Sequence, residues 1–385
     1  MSTDVEPRRS PPPPGSPAEE AASDEAGVVT QLSTLDRFLP VWILAAMALG
    51  LVLGAVFPRL NHALSAVQVT GTSLPIAIGL LLMMYPVLAR VRYEELGRLR
   101  AERGLFVSSL VLNWLIGPAL MFALAWLMLP NQPAYRTGLI IVGLARCIAM
   151  VLIWSELACA DREATAVLVA INSIFQIVAY SFLGYFYITL LPKWLGLQSQ
   201  GFHVGLWPVA RTVLIFLGIP LAAGYVTRRT GIATRGAAWY QERFLPRIGP
   251  IALYGLLFTI VLLFALQGHQ ITHRPLDVVR IALPLLAYFA LMFAASFAWG
   301  IALHLGYRRT ATLAFTAASN NFELAIAVAI GVFGATSGEA LAGVVGPLIE
   351  VPVLVGLVYV SLWVRRRFFA TPRPLTTAEL PGRSR

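Results

Sequence analysis

The sequence predicts an all-α, polytopic membrane protein of about ten transmembrane helices, built as two inverted five-helix repeats. Three observations carry this. The 385 residues are 58% hydrophobic and only 12% charged, whereas a soluble domain carries about 25% charged residues. Apolar runs of roughly 20 residues recur along almost the whole length, each long enough to cross the hydrocarbon core as a helix. Basic residues gather in alternate connections between those runs, as the positive-inside rule requires. A helix satisfies its own backbone hydrogen bonds, which lipid cannot do, so water-soluble classes are excluded. The net charge of +10 is accounted for by these clusters and does not point to nucleic acid.

Taken in order, residues 1–35 form a Pro-, Ser- and acid-rich tail with Pro11–Pro14 and Glu19-Glu20. It has no apolar stretch able to build a core and is expected to be disordered. It lacks the basic start and apolar middle of a signal peptide. Ten spans follow, centred near Ala46, Leu81, Ile116, Met150, Phe175, Phe216, Phe258, Leu291, Ala325 and Leu354. The connection after the second holds Arg90, Arg92, Arg98, Arg100 and Arg103, and that after the sixth holds Arg228, Arg229, Arg235, Arg243 and Arg247. Arg308 and Arg309 follow the eighth, and Arg365-Arg366-Arg367 the tenth. The odd connections are poorer: Arg59, Arg136, Lys193, and the less tidy seventh with Arg274 and Arg280. Even connections inside, and both termini cytoplasmic, satisfies the rule best. Five spans per half is an odd number, so repeats over 36–195 and 196–369 would have opposite orientations. Residues 370–385 form a second polar tail.

Polar residues within the spans are the candidate site. Arg146 and Cys147 stand side by side in the fourth span. A charge at bilayer depth is costly unless it faces protein, water or a ligand, and a thiol selects soft, thiophilic partners. Trp154 lies seven positions on, the same face of a continuous helix; a membrane-surface belt is its alternative place. Cys159 lies at the polar margin of the span, beside Asp161-Arg162-Glu163. The ninth span carries Ser319-Asn320-Asn321-Phe322-Glu323, and a continuous helix would put Ser319, Asn320 and Glu323 on one face. Glu323 is a functional candidate because a carboxylate inside a membrane is expensive to keep. The following span of each half holds a polar residue too, Asn172 in one and Glu350, between Pro347 and Pro352, in the other. Asn113 and Asn172 suit helix–helix hydrogen bonding. There is no HExxH, P-loop or paired CxxC, so neither an enzyme nor a bound cofactor is expected.

The strings Gly143-Leu-Ala-Arg146-Cys147-Ile-Ala-Met-Val151, Val167-Leu-Val-Ala-Ile-Asn172-Ser173 and Ser319-Asn-Asn-Phe-Glu323-Leu-Ala-Ile-Ala327 resemble the arsenical-resistance-three family of arsenite exporters. So do Leu82-Met-Met-Tyr-Pro-Val-Leu88 and Val91-Arg-Tyr-Glu94. The resemblance covers about Val41 to Trp363. It implies ten helices in two inverted halves, with the fourth and ninth interrupted and crossing. It implies efflux of trivalent arsenite, and of antimonite, by proton antiport across a plasma membrane, the bacterial inner membrane. Cys147 falls on the family's metalloid ligand and Glu323 on its carboxylate. Arg146, Trp154, Asn172, Asn320 and Asn321 join the expected substrate site, and Glu323 and Glu350 are the expected proton-coupling residues, since leaving water favours the neutral acid. Two alternatives stand beside this reading. One is a sodium-coupled organic-anion transporter of the same fold. The other is a thiol redox protein or sensor using Cys147 and Cys159. Oligomeric state is not specified by the sequence.

Overall fold

The computed structural model describes residues 38–57, 68–69, 72–91, 103–197, 205–273 and 275–369. The two tails, and Arg59, Arg92, Arg98, Arg100 and Arg274, lie outside the described residues. Every expected span is helical. Span 1 is α1 (Leu39–Val56), span 2 α2 (Leu74–Ala89) and span 3 α3 (Arg103–Met128). Span 4 is divided into α4 (Pro133–Leu144) and α5 (Met150–Leu157). Spans 5 to 8 are α6 (Arg162–Trp194), α7 (Leu206–Arg235), α8 (Ala237–Gly268) and α9 (Pro275–Ala302). Span 9 is divided into α10 (Gly306–Ala318) and α11 (Phe322–Phe333), and span 10 is α12 (Gly338–Phe368). A two-residue antiparallel pair, Gln68–Val69 with Thr72–Ser73, leads into α2.

The long helices carry a recurring local adjustment. Four contain a wide π turn: Leu112–Ile116, Phe186–Leu190, Leu214–Gly218 and Tyr240–Phe244. Each ends two residues before a proline: Pro118, Pro192, Pro220 and Pro246. A proline ring collides with the carbonyl four residues back and cannot donate to it. Widening the preceding turn by one residue takes up that mismatch while the remaining backbone groups stay paired.

Helix packing repeats between the halves. Span 3 packs on α4 as span 8 packs on α10, α4 packs on span 10 as α10 packs on span 5, and span 1 packs on span 7 as span 6 packs on span 2. These pairs exchange under one operation that swaps spans 1–5 with 6–10. With five spans per half, that operation inverts direction across the membrane, which is the inverted repeat. The broken spans lie deepest: Thr310–Ala318 in α10 and Tyr135–Leu144 in α4 are buried throughout. Spans 1, 2, 6 and 7 form a second group, and span 6 joins it to α6 and α11.

Helix ends refine the charge reading. Arg228, Arg229 and Arg235 extend α7, and Arg243 and Arg247 already belong to α8, so the sixth connection is a tight turn at Gly236 rather than a loop. Gly236 has φ 85°, a left-handed conformation that favours glycine.

Spans 1 and 7 approach closely through Gly50 and Gly54, four apart on one face of α1. A Cβ at Gly50 would meet the Val261 carbonyl oxygen at 2.5 Å, and one at Gly54 would strike the Ala265 carbonyl. Small residues at this spacing let helix backbones touch, the usual source of association where lipid is as apolar as leucine. Gly54→Val is expected to cost about 1–3 kcal/mol, because the obstacle is backbone that cannot rotate away. Gly356→Ala, with open space around it, should leave stability unchanged or slightly raised. Thermal unfolding of the two purified variants checks this; equal melting temperatures would show that the span 1–7 contact is not close-packed.

Candidate functional site

The site forms where spans 4 and 9 break. At Ala145 the backbone turns extended (φ −84°, ψ 117°), as it does at Ser319 (φ −80°, ψ 141°). The two extended links run antiparallel and pair through Arg146 and Asn320. Asn321 N–H donates to the Ala145 carbonyl at 3.0 Å, and Cys147 N–H to the Ser319 carbonyl at 3.4 Å. Backbone released from a helix inside a membrane must find protein partners, and here each link supplies the other's.

The local chemistry of the two breaks differs. Ser and Asn side chains compete with helical hydrogen bonding, and Asn321 caps α11 by accepting from Leu324 N–H at 3.0 Å. In span 4 the capping atom is sulfur: the Cys147 Sγ accepts from Val151 N–H at 3.3 Å. Cys147 therefore precedes α5 instead of sharing a helix face with Trp154. Ser319 and Asn320 likewise precede α11 and do not share a continuous helix face with Glu323. Both sequence-level face arguments are corrected by the breaks.

Around the crossing, the Cys147 thiol is buried, and its own backbone N–H donates to the Ser319 carbonyl, beside the Ser319 side chain that reaches Glu350. Ser319 Oγ donates to Glu350 Oε1 at 2.8 Å, and Asn320 N–H donates to the same oxygen at 3.1 Å. Glu350 thus ties span 10 to the link of span 9. Glu323 is the second residue of α11, where a helix N-terminus favours negative charge. Glu323 and Glu350 are the acidic members of a largely apolar crevice lined by Ile43, Leu80, Met150, Thr259, Phe322 and Pro347, among others. The crevice separates spans 1, 2 and 7 from α5, α11 and α12.

Arg146 is fully buried and reaches another way. Its Nη1 donates to Tyr288 Oη at 2.9 Å and to the Ala317 carbonyl at 3.3 Å, near the negative end of α10. Its Nε and Nη2 find no hydrogen-bond partner among the described residues. The guanidinium makes no ion pair with Glu323 among them either. Trp154 is buried at 1% exposure, which overturns the belt alternative. Asn172 links span 5 to span 3 by accepting from Trp114 Nε1 at 3.1 Å, whereas Asn113 donates within its own helix, to Ser109. The amide of Asn320 and the Nδ2 of Asn321 are buried without partners among the described residues. Cys147 and Cys159 lie at opposite ends of α5 and are not joined in a disulfide. Eight helical residues separate them, about 12 Å at 1.5 Å per residue, too far for a disulfide.

Two residues of this region escaped the sequence reading. Tyr288 looks like any aromatic in an apolar span. Gln176 was legible in principle, as a polar residue four positions after Asn172, on the same side of α6. Its Oε1 accepts from Arg146 N–H at 2.5 Å.

Comparison with known proteins agrees with this architecture. The sodium bile acid symporter family matches residues 77–274. The arsenical-resistance protein Acr3 of Corynebacterium glutamicum is 56% identical over 339 residues, 88% of this chain and 92% of the relative. The chain belongs to the Acr3 family. Acr3 of Alkaliphilus metalliredigens is 32% identical over 343 residues, covering 86% of this chain and 94% of that protein. An uncharacterized transporter of Synechocystis sp. is 35% identical over 368 residues, 91% and 93% of the two chains. Membership of the Acr3 family thus extends across the whole ten-span region, including both broken spans.

Within this Acr3-type crossing, the Tyr288 hydroxyl is the side-chain acceptor for a buried guanidinium. Tyr288→Phe should destabilise the protein by about 1–3 kcal/mol, the cost of a buried donor left unpaired. Thermal unfolding in detergent reads this, and wild-type melting would show that Arg146 finds another partner.

Proposed function

We propose that this protein is a secondary active exporter of trivalent arsenite, with antimonite as the nearest chemical relative, driven by proton antiport. It acts as a transporter and not as an enzyme. The observation that carries the reading is one buried thiol at the crossing of two half-helices, on a link whose backbone pairs with Ser319, the residue that binds a buried carboxylate. Arsenite at neutral pH is the uncharged trihydroxide. The Cys147 sulfur forms a bond to arsenic as one arsenic–oxygen bond breaks, and the thiol proton leaves with that hydroxyl as water. Addition of water reverses the step on release, with no change of oxidation state. One sulfur, with oxygen and amide partners for the remaining hydroxyls, holds the metalloid less tightly than a three-thiolate cage. Transport needs binding loose enough to let go.

The unpartnered amides of Asn320 and Asn321 are suited to the metalloid hydroxyls, and Trp154 and Asn172 shape the surroundings. Arg146 holds the crossing, through Tyr288 and the end of α10. Glu323 is the coupling group: its carboxylate accepts from a bound hydroxyl, and a proton arriving from outside neutralises it and favours release. Glu350, which holds the span 9 link through Ser319 Oγ and Asn320 N–H, is the second proton-coupling group. Residues 36–195 and 196–369 are the two repeats, and the group formed by spans 1, 2, 6 and 7, drawn from both, moves against the remaining spans. Among the described residues, Arg90, Arg103, Arg228, Arg229, Arg235, Arg243, Arg308, Arg309 and Arg365–Arg367 fall on one side when the spans alternate direction. That side is the cytoplasmic one, with both termini, in the plasma membrane of the cell.

Expression in arsenite-sensitive cells should lower accumulated arsenite. Cys147→Ser should abolish this, because serine keeps the size but not the soft ligand, while Cys159→Ser should retain most of it. Equal loss in both, at matched expression, would replace the single-thiol site with a two-thiol one. Unchanged accumulation with the wild type would reject arsenite export.

Coupling is tested in proteoliposomes. Glu323→Gln mimics the protonated acid, so it should still bind arsenite but lose flux driven by a pH gradient. Wild-type-like proton-driven flux in this variant would remove Glu323 as carrier. Flux that follows a sodium gradient instead would favour the sodium-coupled reading suggested by the wider family.

A further inference from the structure

The two crossing links are held by side chains that occupy equivalent places in the repeats but differ in chemistry. Arg146 and Asn320 are the pair on the approximate two-fold. Thirty residues after each, on the next span, stands the acceptor of its backbone N–H: Gln176 for Arg146 and Glu350 for Asn320. This pairing replaces the sequence-level match of Asn172 with Glu350. Gln176 is fully buried, and its Nε2 has no partner among the described residues. Its one hydrogen bond among the described residues is that of its carbonyl oxygen with Arg146 N–H.

We propose that Gln176 is a positioning residue for the thiol. A link without helical hydrogen bonds has few contacts to define it. Ala145 and Cys147 are held by the span 9 link, which itself hangs from Glu350. Among the described residues, Gln176 is the hydrogen-bond tie from the Arg146–Cys147 link to the next span of its own half. An amide cannot ionise, so this tie stays the same whatever the protonation of Glu350. The thiol is thereby referenced to span 5, and the link of span 9 is free to respond to the proton. The two-fold places one titrating and one non-titrating clamp at the same crossing, and that difference distinguishes the thiol-bearing link from its counterpart.

The inference rests on Cys147 as the arsenite ligand, and the test separates the two. The full-length protein carrying Cys159→Ser is reconstituted, and the rate at which a maleimide alkylates Cys147 is measured with and without arsenite. Gln176→Leu and Gln176→Met remove the acceptor, Met keeping the length, whereas Gln176→Glu keeps an acceptor oxygen. Without arsenite, Leu and Met should change the alkylation rate about fivefold or more, and the arsenite concentration that protects should rise about tenfold, the scale of one buried hydrogen bond. Gln176→Glu should stay within about threefold of the parent, well inside a tenfold step of 1.4 kcal/mol. Parent-like rates and protection in either folded acceptor-less variant would overturn the proposal. So would a Gln176→Glu protein that behaves like Gln176→Leu, and this arm decides the matter if Leu and Met do not fold. Failure of arsenite to protect even the parent would instead strike the arsenite reading, while the alkylation rates would still test the positioning role.

Discussion

The structure depends on one constraint: two spans are broken inside the membrane, and the freed backbone must be paired without water. The crossing of Ala145–Cys147 with Ser319–Asn321 meets it. Each link donates to the other's carbonyls, and the leftover N–H groups of Arg146 and Asn320 go to Gln176 and Glu350. Unpaired backbone groups in hydrocarbon cost several kcal/mol each, so these partners are not interchangeable with arbitrary apolar residues. The requirement also explains why the polar residues of the chain concentrate here. A broken helix creates the demand, and side chains on the flanking spans satisfy it.

The same breaks create the site. Two half-helix N-termini, those of α5 and α11, meet at the crossing, one capped by a sulfur and the other by an asparagine. A thiol that accepts from Val151 N–H is held in place by the helix it caps, and the backbone of its link pairs with Ser319, whose hydroxyl reaches Glu350. Glu323 opens instead on the crevice between the two helix groups. In the proposed transport cycle, metalloid chemistry and proton exchange thus share one small region that touches both groups. Relative movement of the groups would change access to the carboxylates without dismantling the crossing.

Around that centre, packing is arranged to keep backbone paired and helices close. Prolines that would strain spans 3, 5, 6 and 7 are each preceded by a π turn. Glycines on span 1 let it lie directly on the backbone of span 7. Arg146 is accommodated at the negative end of α10 with the Tyr288 hydroxyl, so a formal charge deep in the interior is met by dipoles rather than by a counter-ion.

By itself, the sequence determined the class, the ten spans and the polar residues that make up the candidate site. Membrane-length apolar runs and rare interior charges are local properties, and solvation by lipid makes them diagnostic. Cys147, Glu323 and Glu350 stood out for that reason. What the sequence did not convey is how these residues face one another. Periodicity assumes a continuous helix, and the breaks at 145–149 and 319–321 invalidate it where the site lies. So Trp154 moved from a possible surface belt to the interior, Arg146 turned to Tyr288, and Gln176 emerged as the counterpart of Glu350 across the two-fold. Only the tertiary structure decided these, because the partners are supplied by spans 30 or more residues away, and a backbone hydrogen bond leaves no mark on the identity of the residue that donates it.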